Sequence, residues 1–431
     1  MSSTEVHRQL AEVQSMMATG QVLQAELSCL KLLERESSCI PALVVVAQCS
    51  TDREDHVRAA EYWGKAFLAS DGDEGLLFRQ CLALANSGDF DSASGKLLAY
   101  WGTTQRLAPD SWLLLGHIEQ RRGQQLKALK AWFRAIDQAQ RQGRWLNEQS
   151  TEPELLPMVL SAMDELQHGK RQWLLDQLSD LRREYGSDGL KRVDRALTNY
   201  LGESQDGPQD FRQRPKFLYI PGLPDSPYHD PYLQPWAEQL AAAFPDIQEE
   251  AIALLNKEGV FESFLTFGPG ADRSAYVGGE GDKPSWDAFF FYRRGRRFDA
   301  NHLRCPKTSA LLDSIELCRI KSQAPEVCFS VLAPGSHIKP HYGVTNSRLV
   351  LHLPLLVPQD CALNVIDAGA HAWKEGQLMM FDDTFQHEAW NRSNSTRIIL
   401  LMDCWNPHLT NLEKSAITRL VESISDFESE Y

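Results

Sequence analysis

The stretch PGSHIKPHYGVTNSRLVLHLPL, residues 334–355, decides how the second half of the chain is interpreted. Its apolar part, SRLVLHLPLLV, is bounded by turn residues, as expected of a β-strand. Five further short apolar segments with similar boundaries lie around it: WDAFFFYRRG, EVCFSVLAPG, CALNVID, QLMMFD and TRIILLMDCW. Six such segments at close spacing favour a β-sandwich or barrel over alternating strands and helices. The sequence therefore predicts a β-domain from residue 286 onward, preceded by one helix, WAEQLAAAFPDIQEEAIALL.

The first 140 residues contain a repeat. Alanines recur at intervals of 34, 34 and 35 residues, and the position five residues before each is a glycine in three cases: Ala25, Ala59, Ala93 and Ala128 follow Gly20, Glu54, Gly88 and Gly123. The clearest copy, SWLLLGHIEQRRGQQLKALKAWFRAI, is typical of two helices joined by a turn. The pattern resembles tetratricopeptide repeats, in which small residues let antiparallel helices approach closely. A plain helical bundle with accidental periodicity is the alternative.

The helical pattern continues to residue 203, and the next segment, GESQDGPQDFRQRPK at 202–216, is polar and interrupted by Gly and Pro. Such composition is typical of a linker. We therefore predict a helical repeat domain over residues 1–203, a linker over 204–215 and a β-domain over 216–431, an α+β multidomain architecture. Because a solenoid presents a concave surface, we expect the repeats to bind a protein, a peptide or a second copy of the chain.

Composition argues against several classes of protein. The 431 residues carry a formal net charge of −14, which repels phosphate backbones, so we predict no nucleic-acid partner. Nine scattered cysteines without a CxxC pair are typical of reduced thiols in the cytoplasm. The sequence has no apolar segment suited to a signal peptide or a membrane span. We expect a cytoplasmic protein.

Six of the 12 histidines fall among the predicted strands in the last hundred residues. His341 follows the segment EVCFSVLAPG and His387 lies between QLMMF and TRIIL, so both are predicted in turns at strand ends. Imidazoles from two strand ends can occupy one face of a ferrous ion. Loop histidines have many other uses, so the residues alone leave metal binding open. We assign three of the others to structure or surface: His337, His371 and His408.

Two long segments resemble the aspartyl/asparaginyl β-hydroxylase family: residues 334–355 and EGQLMMFDDTFQHEAWNRSNSTRIILLMDCWNP at 375–407. Weaker similarity occurs in YRRGRR at 292–297 and CPKTSALL at 305–312. The resemblance covers about residues 214–420 and implies a double-stranded β-helix, a jelly-roll or cupin-like fold. It also implies a dioxygenase that depends on Fe(II) and 2-oxoglutarate, with O2 as the second co-substrate.

The resemblance also implies roles for individual residues. His341 and His387 match the iron ligands and are therefore the expected catalytic residues. Arg397 matches the arginine that pairs with the distal carboxylate of 2-oxoglutarate, and a guanidinium suits that task because it offers two parallel donors. Ser330 and His352 match further contacts to the co-substrate.

The chain departs from other oxygenases, and from this family, at two positions. Most related oxygenases have a carboxylate ligand two residues after the first histidine, where this chain has Gly343. The family binds iron through two histidines alone, so the glycine fits it. Arg348 matches an arginine of the family's pocket, but a second arginine expected beside it is Val350, which leaves the substrate open.

Two further charged groups lie in the matching segments. Arg296 and Arg297 either form a solvated face or bind a substrate carboxylate, because the matching family segment borders the substrate cleft. Asp382 and Asp383 are expected to be turn residues that support the metal site without binding the metal.

The resemblance implies hydroxylation of an unactivated carbon, the β-carbon of Asp or Asn in a peptide or protein. The repeats favour a peptide or protein substrate, which they would hold. A free amino acid or a lipid acyl chain is one alternative substrate. An inactive oxygenase fold that serves as a protein-binding scaffold is an alternative of another kind. The repeats could instead mediate a homodimer.

Overall fold

A computed structural model gives the fold and describes residues 3–204, 206–255, 257, 259–265, 273–280, 283–429 and 431. The chain divides into two compact units, Met1–Trp173 with Glu428–Tyr431, and Leu174–Phe427. This division falls earlier in the chain than the predicted linker at 204–215, and the predicted domain bounds stay a prediction. Every helix in the described part of the chain is too short or too polar to cross a lipid bilayer.

Consecutive helices of the first unit form hairpins. The pairs are α1 (Ser3–Ala18) with α2 (Val22–Leu33), α3 (Ile40–Asp52) with α4 (His56–Ala69), α5 (Glu74–Asn86) with α6 (Phe90–Thr104), and α7 (Pro109–Arg121) with α8 (Gln125–Arg141). The repeating alanines fall in the second helix of each pair and are all fully buried: Ala25, Ala59, Ala93 and Ala128. A Cβ atom on Gly116 would lie 2.2 Å from the ring of Trp132, so α7 and α8 pack in close contact.

The turn within each hairpin has a left-handed residue at the repeating glycine position. The φ angles are 77° at Gly20, 60° at Glu54, 88° at Gly88 and 73° at Gly123. Glycine adopts this conformation without steric cost, whereas Glu54 adopts it against the preference of a side chain that has a Cβ. The four positions therefore share one backbone geometry, which confirms tetratricopeptide-like repeats and makes the accidental-bundle alternative wrong.

The helices that follow are α9 (Leu156–Asp176), α10 (Ser179–Tyr185), α11 (Lys191–Tyr200), α12 (Ala237–Ala242), α13 (Phe244–Leu255), α14 (Asp299–Arg304), α15 (Pro306–Ser314) and α16 (Asn411–Glu428). The helix predicted over residues 236–255 is thus two helices. Proline is tolerated only in the first turn of a helix, and Pro245 stands in the first turn of α13, so α12 ends before it.

The strands are β1 (Tyr228–His229), β2 (Glu262–Ser263), β3 (Val277–Gly279), β4 (Trp286–Arg293), β5 (Arg296–Arg297), β6 (Val327–Leu332), β7 (Ser336–His341), β8 (Arg348–Leu356), β9 (Cys361–Val365), β10 (Gly369–Ala372), β11 (Met379–Phe381), β12 (His387–Asn391) and β13 (Arg397–Trp405). The six segments predicted as strands correspond to β4, β6, β8, β9, β11 and β13 and are confirmed.

The strands form two antiparallel sheets. The larger has the order β1-β11-β8-β13-β6-β4-β2, with β5 paired to β4, and the smaller has the order β10-β9-β12-β7-β3. Side chains of both sheets meet in one buried cluster that includes Leu332 and Ile399 of the larger sheet and Ile338 and Leu363 of the smaller. Two facing antiparallel sheets of this kind make the jelly-roll, double-stranded β-helix architecture expected for the second unit.

Successive side chains of β8 and β13 point to opposite faces of the larger sheet. One face packs against helices, and the other faces the smaller sheet. Leu351 and Leu400 lie in a second core cluster with residues of α12, α13 and α15. Their chain neighbours His352 and Ile399 point to the opposite face, toward the smaller sheet. Because side chains alternate along a strand, every second residue of β8 and β13 faces the space between the two sheets.

Both candidate histidines lie in strands, so the predicted turn location is wrong. His341 is the last residue of β7, His387 is the first residue of β12, and the two face each other in the register of this strand pair. The two strands read SHIKPH and HEAWN, which have no apolar run. Strand prediction from apolar segments misses them because pairing within the sheet, and not composition, makes them extended.

Candidate active site

A cavity of about 590 Å³ opens between the two sheets of the second unit. Apolar side chains form much of its wall, among them Ile338, Val350, Leu363 and Phe381. Six of the eight predicted site residues line it: Ser330, His341, Arg348, His352, His387 and Arg397. The structure therefore brings together, in one cavity, residues that are up to 67 positions apart in the chain.

The rings of His341 and His387 stand side by side at the cavity wall. Their centroids are 4.2 Å apart, with planes inclined by 54°. Nδ1 of His341 lies 2.9 Å from the carbonyl oxygen of Lys339, and Nδ1 of His387 lies 2.9 Å from that of Phe385. A carbonyl only accepts, so each Nδ1 carries the hydrogen and donates it. Nε2 of each ring, with its lone pair, is then the nitrogen that can bind a metal.

Burial keeps both imidazoles neutral. It lowers the pKa of His341, and it lowers the pKa of His387 to about 3, with a further contribution from repulsion that would arise if the neighbouring His341 were also protonated. A protonated imidazole cannot bind a metal, so a site that disfavours the proton favours the ligand form. The described residues contain no group of three or more His, Cys, Asp or Glu that could hold a metal ion.

Arg397 is a buried cation without a carboxylate partner among the described residues. Its side chain is 1% exposed, and burial lowers its pKa to about 10. Nη1 donates to the main-chain carbonyl and to the hydroxyl of Ser330, at 3.2 and 3.3 Å, while Nε has no hydrogen-bond partner. Burying an unpaired charge is costly, so this guanidinium is placed to receive an anion.

Ser330 is arranged to donate a hydrogen bond. Its Oγ accepts hydrogen bonds from the indole Nε1 of Trp286, at 3.0 Å, and from Arg397. An indole and a guanidinium have no acceptor, so both contacts use oxygen lone pairs of the serine. The hydroxyl hydrogen is left for a third partner in the cavity.

His352 is likewise a donor. Its Nδ1 accepts a hydrogen bond from Nε1 of Trp373 at 3.2 Å, because an indole can only donate. Burial holds the pKa of His352 well below its usual range, so the ring is neutral and its hydrogen is on Nε2. This Nε2 is buried and has no partner. The ring of Trp373 also lies under Arg397, with the guanidinium carbon 4.8 Å from the ring centroid.

The side chain of Asp383, in the connection between β11 and β12, fills the space beside Gly343. A Cβ atom at this position would lie 2.0 to 2.1 Å from the carboxyl atoms of Asp383, and the amide of Gly343 donates to the carbonyl of Asp383 at 2.6 Å. Glycine is required here because Asp383 takes the volume of a side chain. Burial and the charges of Asp382 and Asp403 raise the pKa of Asp383 to about 8, so its carboxyl is largely neutral at pH 7.

Asp382 is a turn residue, as expected. Its carboxylate accepts from the amide and hydroxyl of Thr384, at 2.9 and 2.5 Å, and from Gln213 at 2.8 Å. All its oxygens are therefore used in holding the loop that leads to His387.

The charged end of the cavity contains Arg348. Nη1 of Arg348 lies 2.7 Å from a carboxylate oxygen of Asp403 on the neighbouring strand β13. Glu326, Arg293 and Asp403 line the same region. Burial raises the pKa of Glu326 to about 7.

Arg296 and Arg297 do not line the cavity. Nη1 of Arg297 lies 2.5 Å from Asp313 and its Nε lies 2.9 Å from Asp299. The side chain of Arg296 is exposed and stacks on Phe298. The structure places both on the hairpin between β4 and β5, where Arg294 and Gly295 form the turn, and it does not bring them to the histidine pair.

Comparison with known proteins identifies the family of this chain. A family model described as aspartyl/asparaginyl beta-hydroxylase matches residues 241–407. The ornithine lipid ester-linked acyl 2-hydroxylase of Rhizobium tropici is 31% identical over 228 residues, which cover 52% of this chain and 75% of that protein. The chain belongs to the aspartyl/asparaginyl β-hydroxylase family. It is therefore a member of a family of hydroxylases.

Two other similarities extend the comparison. Aspartate beta-hydroxylase domain-containing protein 2 of Rattus norvegicus is 28% identical over 267 residues, 58% of this chain and 70% of that protein. The crystal structure of YrrB, a TPR protein with an unusual peptide-binding site, covers 38% of this chain and 90% of its own, with 15% identity and a TM-score of 0.28.

Sequence reasoning missed the two tryptophans that orient the polar groups of this hydroxylase-family site. Trp286 begins a predicted strand, and Trp373 lies in the polar stretch AHAWKEG, outside the strands. Nothing local distinguishes them from core aromatics. Their indole nitrogens acquire a role only because folding places Ser330, on the neighbouring strand β6, beside Trp286 and places His352 beside Trp373.

Proposed function

We propose that this protein is an Fe(II)- and 2-oxoglutarate-dependent dioxygenase, with His341 and His387 as metal ligands and Arg397 as the co-substrate anchor. One observation supports the proposal above all: a buried guanidinium without an anion lies in the same cavity as two neutral imidazoles. A dianion such as 2-oxoglutarate pairs with the guanidinium, and a divalent metal binds to the two imidazoles.

The unpartnered donors also fit that co-substrate. When bound, Fe(II), O2 and 2-oxoglutarate supply the oxidising chemistry, with succinate and CO2 as co-products. The residues of the chain hold and orient these groups. Arg397 offers parallel donors to a carboxylate, and the hydroxyl of Ser330 and Nε2 of His352 offer two more. The apolar wall that contains Ile338 and Leu363 excludes water from the reacting carbon.

For the substrate, we propose the β-carbon of an Asp or Asn residue in a peptide or protein. The description of the family and the helical repeats support this choice. Arg348 is the candidate for a contact to an acidic side chain, since it lines the cavity. Its partner Asp403 holds the guanidinium in place, so the pair is preorganised.

An acyl chain is the second candidate substrate. Val350 replaces an arginine expected at the cavity wall, which makes this wall more apolar. One relative at 31% identity is named as an acyl 2-hydroxylase. The third possibility, a scaffold without activity, predicts no turnover with any substrate.

Coupled turnover distinguishes these candidates. Purified protein is incubated with Fe(II), ascorbate and 2-oxoglutarate, together with either a panel of Asp- and Asn-containing peptides or a panel of acyl lipids and free amino acids. Succinate formation and a mass gain of one oxygen on a peptide support the first candidate, whereas oxygen gain on an acyl chain supports the second. A rate no higher than that of His387→Ala across all panels contradicts an active enzyme.

A further inference from the structure

Tyr431 packs against two tryptophans of the helical-repeat unit, to which the segment Glu428–Tyr431 belongs. Its ring centroid lies 5.3 Å from that of Trp112, on α7, and 6.5 Å from that of Trp101, on α6. The two tryptophans are themselves 5.7 Å apart, edge to face. We call Trp101 and Trp112 the aromatic clamp. Aromatic pairs at these distances are favourable beyond the area that they bury.

The clamp recognises the ring of Tyr431 and not its hydroxyl. The phenolic oxygen is buried and has no hydrogen-bond partner. Burial raises the pKa of Tyr431, with a further contribution from Glu119. A buried hydroxyl without a partner opposes binding, so packing of the ring must supply the stabilisation. A phenylalanine would fit at least as well.

Basic side chains contact Glu428 and Ser429. Nη2 of Arg134 donates to the carbonyl of Ser429 at 3.2 Å, and Nζ of Lys130 donates to its hydroxyl at 3.3 Å. Nζ of Lys170 lies 3.9 Å from a carboxylate oxygen of Glu428. The guanidinium of Arg134 also lies 5.4 Å above the ring of Trp112, which joins the basic side chains to the clamp.

The site extends beyond its present occupant. A cavity of about 720 Å³ has Trp101, Trp112 and Arg134 in its wall and continues to the exposed side chain of Arg106. A longer peptide therefore has both aromatic and cationic surface available next to the clamp.

We propose that the repeat unit contains a peptide-recognition site at the aromatic clamp, that its ligand is an acidic peptide carrying an aromatic residue, and that Glu428–Tyr431 is its displaceable resident. The resident segment is attached to the same chain, so it competes at an effective concentration on the order of millimolar. A partner peptide binds when it displaces the segment. Binding here is independent of whether the hydroxylase-family domain turns over.

The test uses the full chain and a fluorescein-labelled synthetic peptide, ISDFESEY, which copies residues 424–431. Fluorescence anisotropy gives its affinity for the wild type, for Tyr431→Ala and for Tyr431→Phe. We expect Tyr431→Ala, whose clamp is vacated, to bind the peptide roughly tenfold or more tightly than the wild type, because the competitor is removed. Tyr431→Phe should bind the probe no more tightly than the wild type does, because the resident ring keeps its packing and loses only a hydroxyl that opposes binding.

Two controls distinguish specific recognition of the peptide from non-specific electrostatic binding. With the Tyr431→Ala chain, the probes ISDFESEA and ISDFKSKY should each bind roughly tenfold more weakly than ISDFESEY, and the further substitution Arg134→Glu should weaken ISDFESEY similarly. Equal affinity of ISDFESEY for the wild type and Tyr431→Ala overturns the proposal, as does equal affinity of the three probes. These binding outcomes do not depend on catalysis, so they stand whatever the result of the turnover assay.

Discussion

The indole Nε1 of Trp373 donates a hydrogen bond to Nδ1 of His352, and this contact decides which nitrogen of the histidine carries its hydrogen. Nε2 then becomes a donor toward the cavity. The same indole ring lies under the guanidinium of Arg397. Trp373 is not itself expected to bind the co-substrate, but it orients two residues that are, His352 and Arg397.

Trp373→Phe tests this relationship, since it removes the indole donor and keeps a ring under Arg397. We expect the dissociation constant of 2-oxoglutarate to rise about tenfold, because the tautomer of His352 is no longer set by a buried hydrogen bond. Calorimetry on protein loaded with Mn(II) separates this from metal affinity, which should stay unchanged. Trp390→Phe, on β12 and outside the cavity wall, is the matched control. A fall in both affinities would mean that Trp373 serves only the packing of the sheet.

Arg397→Met should stabilise the ligand-free protein and abolish binding of 2-oxoglutarate. An isolated buried charge opposes folding, so an apolar side chain of similar length should raise the free energy of unfolding by about 1 kcal/mol or more. Arg348→Met is the control, because its guanidinium is paired with Asp403 and its loss should cost about 3 kcal/mol. Denaturant unfolding measures both. If Arg397→Met destabilises the fold as Arg348→Met does, the guanidinium has a structural role.

Gly343→Ala should destabilise the protein by about 2 kcal/mol, because the new methyl group collides with the carboxyl of Asp383. The double variant with Asp383→Ala should recover most of this loss. A double-mutant cycle on the free energy of unfolding gives the coupling directly. Additive effects of the two substitutions would place Asp383 away from Gly343 in solution.

Glu326→Gln should change how stability depends on pH. The folded pKa of Glu326 is raised to about 7 from an ordinary value of 4.5, so the folded state binds the proton more tightly than the unfolded state does. This group therefore destabilises the wild type progressively as pH rises from about 4.5 to about 7. Thermal unfolding should show the variant to be more stable above pH 7, by up to about 3 kcal/mol, and not at pH 4. Glu262→Gln, at an exposed glutamate near Arg293, is the matched control for the loss of one carboxylate.

Glu54→Gly should stabilise the repeat unit by about 1 kcal/mol, because glycine adopts the left-handed turn without the cost that a Cβ imposes. Gly88→Glu, the reverse change at the corresponding turn, should destabilise it by a similar amount. Urea unfolding of the full chain measures both. Opposite signs support a shared turn geometry, and a loss of stability in Glu54→Gly would contradict it.

Much of the architecture could be predicted from residue patterns. The period of 34 to 35 residues located the helical hairpins because each copy repeats the same local requirements, a left-handed turn and a small residue at a helix contact. The long apolar strands of the larger sheet were predicted because both their faces are covered, so burial leaves a continuous apolar run. Short polar strands such as β7 and β12 could not be predicted, since pairing with distant segments makes them strands.

The sequence by itself determined which chemical groups the site contains: two histidines, one arginine and a glycine in place of a carboxylate, within segments that resemble a known family. Only the tertiary structure decided what these groups can do. The pairing of β7 with β12 brings two imidazoles together, and burial between the sheets leaves Arg397 without an anion. Asp383, Trp286 and Trp373 acquire their roles from contacts across the fold, because proton positions and steric limits depend on neighbours that local sequence does not reveal.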